Sequence, residues 1–135
     1  MKTRPVILLA EDSADDQLLF RRALNQMGIE IAIVTVSDGP AVIEYLKGES
    51  AYADRMAYPM PTMVILDLKL PKVSGLGVLR QMRSRPEWEA IPVVILSGSL
   101  DPNVEQEAKE MGAAIVMEKP LRGEQLRTLA AWLQE

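Results

Sequence analysis

The chain has 135 residues, of which 48% are hydrophobic and 25% are charged, and its formal net charge is −4. This length and composition predict one domain with a core of its own. The acidic balance argues against general affinity for nucleic acid or for an anionic membrane surface. Because the chain has no Cys and no His, it cannot be a disulfide protein, a thiolate or His-ligated zinc protein, a phosphohistidine donor or a Ser-His-Asp hydrolase.

The sequence also gives no sign of membrane insertion or export. No apolar run approaches the roughly 20 residues that a membrane-spanning helix needs. The first residues, Met1-Lys2-Thr3-Arg4-Pro5, lead directly into a strand-like run and carry no cleavage signature. We therefore expect the protein in the cytoplasm, without contact to a membrane.

Strand and helix patterns alternate along the whole chain, which predicts an α/β fold with a parallel sheet. Strands are predicted at five apolar runs: 6–10, 31–36, 63–66, 93–96 and 114–117. Helix boundaries are predicted from capping and stop residues: Ser13 and Gly28, Asp38, Ser74-Gly75, Asp101 and Met111-Gly112, and about Glu124. Five βα units fill residues 1–135 and predict a single domain without an output domain.

Two stretches do not follow this alternation. Residues 48–61 contain tyrosines and prolines without a clear period and exceed a usual αβ connection, so we expect either a functional insertion or a mobile loop. Near the end of the third helix, Arg80, Arg83 and Arg85 are interpreted as one face of a solvated helix end rather than an anion site. Trp88 is expected to serve packing.

Polar side chains stand where four of the predicted strands end. They are Glu11-Asp12, Asp67, Ser97 and Lys119. In an open parallel sheet, ligands bind outside the carboxyl ends of the strands, at the point where the strand order reverses. The fold prediction and the positions of these residues therefore indicate one common site.

The residue types at this site predict phosphoryl transfer. Three carboxylates repel one another, and a hard divalent cation such as Mg²⁺ relieves that repulsion while sharing a phosphoryl group. A carboxylate also acts as a nucleophile that forms an aspartyl phosphate. Lys119 would supply an ammonium that neutralises charge on the transferring oxygens, and Ser97 a hydroxyl for one of them.

These residues resemble the receiver domain of two-component response regulators over essentially the whole chain. A lone Asp-x-x-x-Pro would be a weak signal, but four motifs in order at matching intervals are a strong one. The motifs are the acidic pair Glu11-Asp12, the acceptor Asp67 in Asp67-Leu68-Lys69-Leu70-Pro71, Ser97, and Lys119-Pro120. The resemblance implies a flavodoxin-like, doubly wound sheet of five parallel strands in the order 2-1-3-4-5.

The resemblance further implies how the site works. Asp67 would accept the phosphoryl group, Asp12 and Asp67 would bind Mg²⁺ directly together with the backbone carbonyl of Lys69, and Glu11 would act through water. Ser97 and Lys119 would contact the phosphoryl oxygens. A cis peptide is implied at Lys119-Pro120. The protein would catalyse only its own phosphorylation and dephosphorylation, and would be a signalling module rather than a metabolic enzyme.

The implied partners are proteins. The donor would be a phosphohistidine on a sensor histidine kinase, and the face of the fourth helix, fifth strand and fifth helix would meet a partner or a second copy. Two stretches, Arg85-Pro86-Glu87-Trp88 and Ile91-Pro92-Val93-Val94, resemble the stand-alone regulators that partner bacterial phytochromes.

Two residues keep other functions open. Receiver domains usually carry Tyr or Phe three residues before the site lysine, where this chain has Val116, which favours a receiver-like binding module that does not depend on phosphorylation. A phosphohydrolase that uses Asp67 is the other alternative, but such enzymes carry a carboxylate where this chain has Lys69. Lys69 is predicted either to tune phosphoryl lifetime or to be a solvated loop lysine.

Overall fold

The five apolar runs form one parallel sheet in the computed structural model, which describes residues 4–134. The strands are β1 Val6–Ala10, β2 Ala32–Val36, β3 Met63–Asp67, β4 Val93–Ser97 and β5 Ile115–Glu118. Their order is β2-β1-β3-β4-β5, and every pairing is parallel, so the predicted sheet is confirmed. β1, β3 and β4 are buried at every residue, as strands covered by helices on both faces must be.

Five helices connect and cover the strands. They are α1 Ala14–Asn25, α2 Gly39–Lys47, α3 Gly75–Arg83, α4 Pro102–Glu110 and α5 Gly123–Leu133. The predicted N-caps are confirmed: side-chain oxygens of Ser13, Asp38, Ser74 and Asp101 each accept a hydrogen bond from a first-turn N–H. α1 ends at Asn25, before the predicted stop at Gly28, because the chain leaves the helix through a turn in which Gly28 has φ +73°.

The side chains of each strand alternate between two cores. One core packs the sheet against α2, α3 and α4, with Val42, Leu79 and Ala108 among its buried residues. The other packs the opposite face against α1 and α5, through residues such as Phe20 and Leu129. Both faces are therefore closed by helices, and the carboxyl edge of the sheet is the place where polar loops converge.

Residues 48–61 are fastened to α2. The Arg55 guanidinium donates to the carbonyls of Tyr45 and Leu46, both at 2.8 Å, and to that of Tyr58 at 3.1 Å. The Tyr45 hydroxyl donates to the Pro59 carbonyl at 2.7 Å. These contacts are at odds with the mobile-loop interpretation of this segment.

Arg83 does not belong to a solvated face, so its interpretation from sequence was wrong. Its guanidinium donates five hydrogen bonds of 2.9–3.2 Å to backbone carbonyls. The four acceptors are Trp88, Glu89, Ile91 and Gly112. Trp88 is buried, as expected for a packing residue, and the Arg85 guanidinium lies 4.8 Å from the centre of its ring. Backbone carbonyls of two separate connections, one between α3 and β4 and one between α4 and β5, are hard to recognise from sequence as partners of one side chain.

No helix within residues 4–134 is long and apolar enough to cross a bilayer. The prediction that the chain start carries no export signal rests partly on residues 1–3. Those three residues lie outside the part of the chain that the structure describes.

Candidate functional site

The carboxyl edge of the sheet brings the ends of four strands together. Glu11 follows β1 directly, and its N–H donates to the Val36 carbonyl at 3.0 Å, which extends the strand pairing by one residue. Asp67 is the last residue of β3. Lys119 follows β5, and its N–H donates to the Ser97 carbonyl at 2.7 Å. Parallel pairing in register therefore places these residues at one edge.

The Lys119 ammonium joins three carboxylates. Its Nζ atom lies 2.8 Å from Asp67 Oδ2, 2.9 Å from Glu11 Oε1 and 3.1 Å from Asp16 Oδ2. An ammonium has three N–H donors, so these contacts occupy all of them. Asp16 is a residue that sequence reasoning missed as part of the site. An acidic residue in the first turn of a helix is fully explained by the helix dipole, and the sequence gives no further signal.

Three of the predicted residues form an acidic cluster. Carboxylate oxygens of Glu11, Asp12 and Asp67 all lie within 4.8 Å of one another. Glu11 and Asp67 are buried, whereas Asp12 is exposed. Backbone N–H groups fix two of the carboxylates: Ser13 donates to Glu11 Oε2 at 3.1 Å and Lys69 to Asp67 Oδ1 at 3.0 Å. Clustered carboxylate oxygens fit a hard divalent cation.

The electrostatics of the cluster follow from burial and proximity. Burial raises the pKa of Glu11, and Asp67 raises it further, while Lys119 and the Ser13 N–H act in the opposite direction. For Lys119, burial alone would lower the pKa, but hydrogen bonds to Asp67, Glu11 and Asp16 outweigh it and raise the pKa above its ordinary value. Lys119 is therefore a permanent cation at neutral pH. A second cation at the cluster would further reduce the repulsion between the buried carboxylates.

The site opens into a cleft of about 540 Å³. Its lining residues come from the strand ends, the loops and the first turn of α1 at the carboxyl edge: Glu11, Asp12, Ser13, Asp16, Asp67, Lys69, Gly98, Ser99 and Lys119. Ser97 is not among them. Its hydroxyl donates to the Ser99 carbonyl at 2.6 Å and accepts from the Ser99 N–H at 3.3 Å. The structure thus brings together Glu11, Asp12, Asp67 and Lys119, and turns the Ser97 hydroxyl toward its own loop.

Comparison with known families agrees with this geometry. The family model described as the response regulator receiver domain matches residues 7–131. The chain belongs to this family. It is a receiver of the two-component signalling type, and such receivers are generally signalling proteins rather than enzymes.

Several relatives of the receiver are phytochrome regulators. It is 36% identical to the response regulator Rcp1 of Synechocystis over 94 residues, which are 70% of this chain and 62%, less than two thirds, of Rcp1. The bacteriophytochrome response regulator AtBRR superposes with a TM-score of 0.85 at 32% identity, covering 98% of this chain and 94% of AtBRR. A phosphorylated cyanobacterial phytochrome response regulator, RcpA, gives a TM-score of 0.81 at 29% identity, covering 96% and 91% of the two chains.

The receiver departs from the usual family pattern at β5. Val116 is buried, only 8% exposed, and belongs to the core that includes Ala108 of α4 and Ala113. The peptide bond between Lys119 and Pro120 is cis, as the family resemblance implied. Val116 therefore fills core volume beneath α4 and presents no ring that could turn between the core and the surface.

Proposed function

We propose that this receiver accepts a phosphoryl group on Asp67 from the phosphohistidine of a sensor histidine kinase, with Mg²⁺ held by the acidic cluster. The observation that carries the proposal is the position of the Lys119 ammonium, 2.8 Å from Asp67 Oδ2 beside two further carboxylates of the cluster. A nucleophilic carboxylate, a fixed cation and a dication site within one cleft are the parts that phosphoryl transfer needs.

Each residue would have a defined role. A carboxylate oxygen of Asp67 attacks phosphorus, an O–P bond forms, the N–P bond of the phosphohistidine breaks, and the imidazole leaves with the bonding electrons. Asp12, Asp67 and the Lys69 carbonyl would hold Mg²⁺ directly and Glu11 through water, and the bound ion supplies positive charge to the phosphoryl oxygens. The ammonium of Lys119, released from Asp67 Oδ2, donates to one of those oxygens.

The Ser97 hydroxyl would take part only after a rearrangement. It is engaged with Ser99, so it must exchange that backbone partner for a phosphoryl oxygen. The exchange frees the Ser99 carbonyl and shifts the loop between β4 and α4. The face formed by α4, β5 and α5 would change with it and present the signal to a partner protein or a second copy.

A bacterial phytochrome is the proposed class of kinase partner. The support is the similarity to Rcp1, RcpA and AtBRR, two of which are described as phytochrome or bacteriophytochrome response regulators. The similarity to these proteins covers 70%, 96% and 98% of this chain, respectively. Transfer from a purified phytochrome kinase that is faster than from an unrelated sensor kinase would support this partner.

The proposed acceptor is tested with acetyl phosphate as a small phosphoryl donor. We expect one added phosphoryl mass on the wild type in Mg²⁺, none in EDTA, and loss of the adduct on treatment with hydroxylamine. Asp67→Asn should give no adduct, while the matched control Asp54→Asn, which removes an exposed carboxylate outside the site, should react like the wild type. An equal adduct on Asp67→Asn would reject Asp67 as the acceptor.

A phosphorylation-independent binding module is the second candidate, and Val116 is the observation that favours it. Without the aromatic ring, the usual coupling between the site and the α4–β5–α5 face is missing. If Asp67→Asn and wild type bound the same partner equally well in cells and signalled alike, this second function would replace the first.

A further inference from the structure

Asp16 contacts the site from outside the acidic cluster. It lies in the first turn of α1, its side chain is 40% exposed, and its Oδ2 atom accepts a hydrogen bond from Lys119 Nζ at 3.1 Å. The other two acceptors of the same ammonium, Glu11 and Asp67, belong to the cluster that would hold the dication. Asp16 is therefore the one acceptor of Lys119, among the described residues, that lies outside the metal site.

This division matters because the ammonium and a dication compete for the same oxygens. Lys119 occupies Glu11 Oε1 and Asp67 Oδ2, and both carboxylates would turn oxygens toward a bound ion or its waters. An acceptor on the α1 side draws one of the three N–H donors away from the cluster. Without that acceptor, the ammonium is free to move fully onto Glu11 and Asp67.

We propose that Asp16 is a positioning residue that holds the Lys119 ammonium toward α1 and thereby raises the affinity of the acidic cluster for Mg²⁺. The inference rests on the proposed function, because it concerns the dication of that site. Residues that orient a metal ligand through a hydrogen bond commonly change metal affinity about 10- to 100-fold when they are replaced. Asp16 would act on the metal ligands only through Lys119 and is partly exposed, so we expect its replacement to change Mg²⁺ affinity about three- to tenfold.

Asp15 is the matched control. It lies in the same first turn, carries the same charge and is exposed, but makes no ion pair with Lys119 in the described part of the chain. A long-range effect of negative charge on Mg²⁺ would act from both positions, although solvent and salt weaken it, with a screening length of about 8 Å at physiological ionic strength. An effect through Lys119 would act from Asp16 alone.

The test is calorimetric titration with Mg²⁺ of the purified chain, a readout that needs no phosphoryl donor. Asp16→Asn should weaken Mg²⁺ binding about three- to tenfold, Asp15→Asn by less than about twofold, and Asp16→Glu should recover part of the loss. Urea unfolding in EDTA should show both variants folded, with a slightly lower midpoint for Asp16→Asn, because it alone loses a partly exposed ion pair with Lys119.

A double substitution separates an effect that Asp16 exerts through its hydrogen bond to Lys119 from a long-range effect of its charge. In a Lys119→Met background, Asp16→Asn should change Mg²⁺ affinity by less than about twofold, because the side chain that transmits its effect is missing. An undiminished effect in that background, or equal effects of Asp15→Asn and Asp16→Asn, would overturn the role of Asp16. Such a result leaves the proposed function intact if the wild type still binds Mg²⁺ and takes up phosphoryl. A wild type that binds no Mg²⁺ would instead reject the proposed function and the role of Asp16 together.

Discussion

Two cations mark the opposite edges of the sheet, and they are bound in different ways. At the carboxyl edge, Lys119 holds three carboxylates at 2.8–3.1 Å. At the amino edge, Arg83 holds four backbone carbonyls through five hydrogen bonds. The partners of Lys119 are charged and repel one another, whereas the partners of Arg83 are neutral and fixed by the backbone.

The different partners of Lys119 and Arg83 indicate a functional role for the first and a structural role for the second. Carboxylates that repel one another gain from a metal ion or from conversion of one of them into an acyl phosphate, so the arrangement at Lys119 can change with ligand state. Backbone carbonyls are neutral, so neither a metal ion nor phosphorylation is needed to relieve repulsion between them. They need a permanent hydrogen-bond donor instead. The carboxyl edge is therefore where signalling chemistry is expected, and the amino edge is where the loops are held.

The largest effect on stability is expected at the amino edge. Arg83→Met leaves the carbonyls of Trp88, Glu89, Ile91 and Gly112 without their donor, and the free energy of unfolding should fall by about 3 kcal/mol. Urea unfolding measures the loss. Arg80→Met, an exposed arginine of the same helix, should change it by no more than about 0.5 kcal/mol. Equal losses in the two variants would show that the hydrogen bonds of Arg83 to the backbone carbonyls do not stabilise the fold.

A smaller effect is expected at the carboxyl edge, and it should depend on the carboxylates. Lys119→Met leaves Glu11 and Asp67 buried without their cation, and we expect a loss of about 2 kcal/mol, reduced by the partial exposure of the lysine. Adding Asp67→Asn should restore part of that loss because it removes one of the repelling charges. Urea unfolding in EDTA checks both values. A double variant that is less stable than Lys119→Met alone would show that repulsion between Glu11 and Asp67 does not cause the loss.

The smallest effect tests whether hydrogen bonds to backbone carbonyls are structural elsewhere too. Tyr45→Phe removes the hydrogen bond to the Pro59 carbonyl and should cost about 1 kcal/mol at neutral pH. Burial raises the pKa of Tyr45. Above pH about 10, tyrosines of the unfolded chain lose their protons while Tyr45 in the fold retains its own, so stability falls as pH rises.

Tyr45→Phe should lose less stability than wild type between neutral pH and pH values above about 10. Tyr52, whose pKa is also raised by burial, is present in both proteins and serves as the internal reference. Parallel pH profiles of the two proteins would show that Tyr45 does not titrate in this way.

Local patterns in the sequence predicted most of the fold. Apolar runs of strand length and capping residues such as Ser13, Asp38 and Asp101 depend on near neighbours along the chain, and all were confirmed. The attachment of residues 48–61 to α2 was not predicted, because the partners of Arg55 are backbone carbonyls, and every residue type carries one. The interpretation of Arg83 as part of a solvated helix end was wrong for the same reason.

The site was predicted in part. The strand-end positions identified Glu11, Asp12, Asp67 and Lys119 because parallel strands bring their ends together. Asp16 was missed because its contact with Lys119 joins residues far apart in the chain. The orientation of the Ser97 hydroxyl also depends on the loop that follows it, which no spacing rule describes.

We propose that the carboxyl edge accepts a phosphoryl group at Asp67. Borohydride reduction of the protein after incubation with acetyl phosphate and Mg²⁺, followed by peptide mass spectrometry, tests it most directly. An acyl phosphate is reduced to the alcohol, so we predict a homoserine side chain at position 67 alone, absent from the sample without acetyl phosphate. Reduction at another carboxylate, with position 67 unchanged, would show that Asp67 is not the phosphoryl acceptor.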